Sequence, residues 1–169
     1  MSRASAADDG LEDSVLRSIR RITRSIDIYS RQLRAACDLT GPQLICMRQL
    51  AVEGSMTLSD LAAVISLSLA TVSGIVDRLE ARGLVRRERQ QADKRRVLVI
   101  LTRAGEKALR RAPPPLQEQF TRRFRALPAR RQAALNKALR EIVTMMEAED
   151  IDASPILVPA AELQDAAGR

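Results

Sequence analysis

The apolar pattern of this chain changes period at Gly83, and that change limits the folds open to it. Upstream, Val72, Ile75, Val76 and Leu79 recur at i, i+3, i+4 and i+7, which is one face of a helix. Downstream, Leu84 to Arg89 and Arg96 to Thr102 are β-rich runs, separated by the charged loop from Gln90 to Arg95. A helix that ends at a glycine suited to a left-handed C-cap, and runs straight into a hairpin, therefore sits in the middle of the chain. Aromatic residues are only 2% of the sequence although hydrophobic residues are 46%. The core must come from Leu, Ile, Val, Ala and Met, which favours helix on helix and argues against an all-β fold. The prediction is a mainly α chain with one small β-hairpin.

The flanking segments are helical in pattern. After a polar segment, residues 1–10, read as a flexible arm, Val15, Ile19, Ile22, Ile26, Tyr29 and Leu33 alternate steps of four and three. That is a coiled-coil seam over residues 11–36, with arginines between its members. Thr40-Gly41-Pro42 opens a second helix that Gly54 ends, and Thr57 with Asp60 opens a short third one. Ser68 caps the helix that stops at Gly83, and Thr102 caps another from Arg103 to Arg111. Pro113, Pro114 and Pro115 cannot lie inside a helix, but the last can open a new one carrying Leu116, Phe120 and Phe124. A final helix begins near Pro128 and places Leu135, Leu139, Ile142 and Met146 on one stripe. Residues 37–102 thus read as a central module and 103–149 as C-terminal helices, while 150–169 lack periodicity and read as an extended or disordered tail.

Several chemistries are excluded by residue type. The chain has no histidine, which removes the commonest general base and the usual zinc ligand. Cys37 and Cys46 lack CxxC spacing, and no carboxylate pairs with a recognisable nucleophile. The reading is of no enzyme, no cofactor and no metal site. No apolar run approaches a membrane span or a signal peptide, so a cytoplasmic protein is expected.

Two short helices joined by the turn Ser66-Leu67-Ser68, with a basic hairpin after the second, form a winged helix-turn-helix plan. The net charge of +7 suits a polyanion, and it concentrates in the hairpin as Arg86, Arg87, Arg89, Lys94, Arg95 and Arg96. On the second helix, Ala70, Ser73, Gly74 and Asp77 lie opposite the apolar face, flanked by Thr71 and Arg78, with Ser68 at its start. Small residues there let a backbone approach base edges in the major groove, and an arginine at the hairpin tip can enter the minor groove. These thirteen positions are the expected contacts to double-stranded DNA. Asp93 is read as a brace for Arg95. The competing reading is a non-specific architectural or chromosome-associated protein, and a purely protein-binding winged helix would lack DNA affinity. The seam residues Val15, Ile19, Ile22 and Ile26 and the stripe Leu135, Leu139, Ile142 and Met146 have no partner large enough in one winged module, so a homodimer is expected.

Leu61-Ala62, Ser68 to Ser73, Val76 to Glu80, Arg82 to Arg87, Asp93 to Arg96 and Leu101 to Gly105 together resemble the MarR family of bacterial regulators, over about residues 12–148. The resemblance implies a homodimer binding a pseudo-palindromic operator, commonly as a repressor released by a small-molecule effector. It suggests Arg20, Arg24, Tyr29 and Arg48 as polar contributors to an effector site. Some relatives sense oxidants through cysteine, a role to weigh for Cys37 and Cys46, although neither lies near the start of the first helix. Two features depart from the family pattern, namely the Pro113 to Pro115 break and the long tail. Asp152 to Leu157, with Met145 to Glu147, is faintly similar to regulators associated with ectoine, a compatible solute.

Overall fold

A computed structural model describes residues 3–89 and 96–151, with only the helical backbone given for residues 3–9. The order is α1 (Arg3–Cys37), α2 (Gly41–Glu53), β1 (Ser55–Thr57), α3 (Leu58–Ile65), α4 (Leu69–Ala81), β2 (Val85–Arg89), β3 (Val97–Leu101), α5 (Arg103–Arg111), α6 (Leu116–Arg125) and α7 (Ala129–Met145). The capping residues fix most starts. Thr57 accepts from the Asp60 N–H at 3.2 Å, Ser68 from Thr71 at 3.1 Å and Thr102 from Gly105 at 3.1 Å. Gly83 takes φ +67°, a conformation that glycine adopts without the Cβ clash other residues meet. α5 stops before the three prolines, and Pro115 and Pro128 stand directly before α6 and α7.

The expectation of an N-terminal arm needs correcting. The segment read as an arm is helical from Arg3 onward. Ala4, Ala6 and Ala7 are strong helix formers, and Gly10 costs only about 1 kcal/mol in a helix interior. The hairpin also gains a third strand. β1 pairs antiparallel with β3, Met56 opposite Val99, giving the order β1-β3-β2.

The core lies where α2, α3, α4 and the sheet meet. Leu44, Met47, Leu50, Leu61, Val72, Ile75, Val76, Leu79, Val85 and Val99 are essentially sealed from solvent. Among the described side chains of α1, those near its C-terminal end join them, through Tyr29 and Leu33. The exit from β3 is locked by polar contacts and one close approach. Thr102 Oγ1 donates to the Gly83 carbonyl at 2.7 Å, and its N–H to the Leu84 carbonyl at 3.1 Å. Gly105 then packs so tightly that a Cβ there would lie 2.1 Å from the Leu84 oxygen.

Candidate nucleic-acid interface

α4 is amphipathic in the phase its sequence dictates. Val72, Ile75, Val76 and Leu79 are buried, while Ala70 and Asp77 are exposed and Thr71, Ser73 and Gly74 are partly so. At the helix start, the Ser68 and Thr71 hydroxyls share a hydrogen bond of 2.7 Å. The pair retains acceptor lone pairs and one hydroxyl hydrogen for an outside partner. Ser68 and Arg78 are also exposed.

Alternation along β2 decides which arginines face outward. Val85 is buried, and Arg87, two residues on and opposite Val99, shares its face; Arg86 and Glu88 lie on the other. Arg86 pairs with Glu88, and Arg89 and Arg96 are exposed. Arg87 turns back toward α4. Its guanidinium donates to Asp77 Oδ1 at 2.6 Å and to Glu80 Oε2, and its backbone N–H donates to Glu80 Oε1 at 2.9 Å. Burial alone would lower the Arg87 pKa, but the hydrogen bonds and charges of Asp77 and Glu80 outweigh it and raise the value. Arg87 and Asp77 are therefore engaged with each other. Lys94, Arg95 and the Asp93 brace lie outside the described residues.

Glu80 was not among the predicted site residues. Its signal was present, since it stands three positions after Asp77 on one helix face while Arg87 is in phase with Val85. A second long-range pair joins Arg82 to Asp38 at 2.8 Å, tying the end of α4 to the α1–α2 junction.

The four suggested effector residues do not converge. Arg20 and Arg24 are exposed on α1, and Tyr29 is buried in the core. Arg48 alone among them lines a cleft of about 770 Å³ between α2, the end of α3 and α6. Ile45, Val52 and Val64 give that cleft apolar wall, and Arg122 and Arg125 bring further positive charge. Arg48 is held across it by Glu118 at 3.1 Å. Cys46 is fully buried, and burial pushes its thiol up to about 12. Cys37 is half-buried, its thiol donates to the Leu33 carbonyl, and desolvation raises its pKa too. The described residues hold no cluster of three metal-binding side chains and no single helix long and apolar enough to cross a membrane. The tail segment compared with ectoine-associated regulators lies outside the described residues.

A helix of this kind beside a basic, tethered strand pair places the chain among the winged helix-turn-helix proteins that bind DNA. The family model described as MarR family matches residues 39–97. Over 92 residues the chain is 41% identical to the transcriptional regulator HosA of Escherichia coli, covering 53% of this chain and 68% of HosA. The chain belongs to the MarR family and is a DNA-binding transcriptional regulator. Among solved structures it is similar to Sco3205 of Streptomyces coelicolor, a MarR family transcriptional regulator in complex with DNA. The identity is 27% and the TM-score 0.56, over 86% of this chain and 93% of that one. It is also similar to BpsR of Bordetella bronchiseptica, whose DNA binding is regulated by 6-hydroxynicotinic acid. There the identity is 30% and the TM-score 0.54, over 76% of this chain and 91% of that one.

Proposed function

We propose that this regulator acts in the cytoplasm as a homodimeric repressor of a pseudo-palindromic operator, and that a small anion releases it. It carries out no reaction. The observation that carries the reading is the pairing of a small-residue helix start with a basic strand fixed beside it. Ser68, Ala70, Thr71, Ser73, Gly74 and Arg78 enter the major groove, while Arg86, Arg89, Lys94, Arg95 and Arg96 meet phosphates and the minor groove. Asp77 and Arg87 are reassigned from DNA contact to bracing one another. Repetition of the unit by a two-fold axis sets two such helices on successive groove faces.

The released state is supported by the cleft beside α6. Arg48, Arg122 and Arg125 offer charge above an apolar wall, which suits a carboxylate on an apolar body. The cleft also includes Ile65 and Ser66, just before the helix that reads DNA, so occupancy has a short path to that helix. BpsR, regulated by a hydroxylated aromatic acid, is consistent with this class of effector.

The test is fluorescence anisotropy with DNA from upstream of the protein's own gene and a scrambled duplex, at two salt concentrations. Salt-dependent binding that prefers the native duplex by about a thousandfold supports a specific regulator. Equal affinity for both would make the protein architectural. Release by aromatic carboxylates, lost in Arg48→Ala, supports the cleft as the effector site.

A further inference from the structure

We infer that Arg87, with Asp77 and Glu80, is a positioning clamp that sets the angle between the reading helix and the wing, and thereby sequence discrimination. The inference rests on the DNA-reading role proposed above. β2 is an edge strand of the sheet, and past Val85 nothing apolar on that strand anchors it to α4. Arg87 supplies the next anchor, two residues nearer the hairpin tip. One guanidinium spans two carboxylates on the same helix face, and the strand's own backbone N–H adds a further bond to Glu80. A planar fork held at several points restricts direction as well as distance, which a single charge pair does not.

The charges themselves argue for this role. Asp77 is exposed on the face that approaches DNA, where a carboxylate repels phosphate. If its role were electrostatic alone, removing that charge would strengthen binding to any duplex. If it holds Arg87, removing it lets the wing pivot. Helix and wing then cannot both reach their grooves on the preferred sequence, whereas non-specific binding, which needs no fixed angle, survives.

The experiment uses the full chain and two duplexes, one selected by the wild-type protein from a randomised pool and one scrambled. Affinities of Asp77→Asn, Arg87→Gln, Arg87→Lys and the Asp77→Asn/Arg87→Gln double variant are measured across salt concentrations, with circular dichroism confirming the fold. The clamp predicts that Asp77→Asn and Arg87→Gln each lose about tenfold on the selected duplex and change little on the scrambled one. It also predicts that the double variant is no worse than either single one. Arg87→Lys keeps the charge but not the fork, and recovers only part of the loss. Salt slopes stay at the wild-type value. The clamp is overturned if Asp77→Asn binds the selected duplex as tightly as wild type or more tightly. It is overturned equally if Arg87→Gln weakens both duplexes alike and lowers the slope by about one, the signature of a lost phosphate contact. Should Arg87→Gln fail to fold, Asp77→Asn, which leaves the Arg87–Glu80 bonds in place, decides the matter. Failure of the wild-type protein to enrich any duplex would instead overturn the sequence-specific reading itself.

Discussion

A methyl group at residue 105 has nowhere to go. The Cβ of an alanine would lie 2.1 Å from the Leu84 carbonyl oxygen and 3.0 Å from Leu101, and the first obstacle is backbone that Thr102 also holds. Gly105→Ala must push α5 away from the start of β2, at a cost of about 1–3 kcal/mol as for other overpacked sites. Urea unfolding monitored by circular dichroism measures it, and an unchanged midpoint would refute the close approach. Cys46 gives a prediction of a different kind. Its thiol is sealed and its pKa pushed up to about 12, so little thiolate exists to react near neutral pH. Iodoacetamide at pH 8 should label Cys46 only when the protein unfolds, as read by mass spectrometry. Because the folded pKa is raised, the thiol's contribution to stability is complete below about 9 and is lost as pH rises from there toward about 12. Cys46→Ala should therefore weaken the fall in stability across that alkaline window. Rapid labelling of native protein at Cys46 would reopen a redox role.

At the scale of elements, local signals were legible and distant ones were not. The starts of α3, α4 and α5 follow from Thr57, Ser68 and Thr102, because a cap and the amide it accepts from are three residues apart. The buried face of α4 followed from its period for the same reason. β1 was missed because three residues carry no usable alternation, and its partner Val99 is remote in sequence from Met56. The contact of Arg87 with Asp77 and Glu80 was missed because charge was counted along the hairpin without regard to the pleat, which turns it toward them. The cleft beside α6 was equally hidden, since Arg48 and Glu118 meet only after the proline break redirects the chain. The cap of α4 is itself testable. Ser68→Ala removes the acceptor for the Thr71 N–H and should cost about 1 kcal/mol. Amide hydrogen exchange should quicken most at Thr71, and protection equal to wild type there would argue that another group caps the helix.

The whole molecule is longer than its core requires. With 35 residues at about 1.5 Å each, α1 runs roughly 52 Å, yet between Gly10 and Cys37 only Tyr29, Ser30 and Leu33 are buried. Toward its other end, Leu11 is 67% exposed, Val15 43% and Ile22 56%. α7 buries no residue at all, leaving Leu135, Leu139 and Met146 open on its stripe. Two long helices with apolar stripes that nothing among the described residues covers suit a second copy, each stripe gaining about 25 cal/mol for every Å² removed from water. Ile22 tests this best because it lies in the seam but outside the core, so the winged module has no stake in it. A glutamate there sets a charge in the middle of the proposed dimer contact, where desolvation without a partner is costly. Ile22→Glu should therefore sediment as a monomer at concentrations where wild type is a dimer, with its circular dichroism little changed. Its affinity for a two-half-site duplex should drop much further than for a half-site duplex, since the joint binding of two units is what is lost. A variant that stays dimeric would move the interface off α1, and a monomer that keeps full operator affinity would remove symmetry from the account of DNA reading.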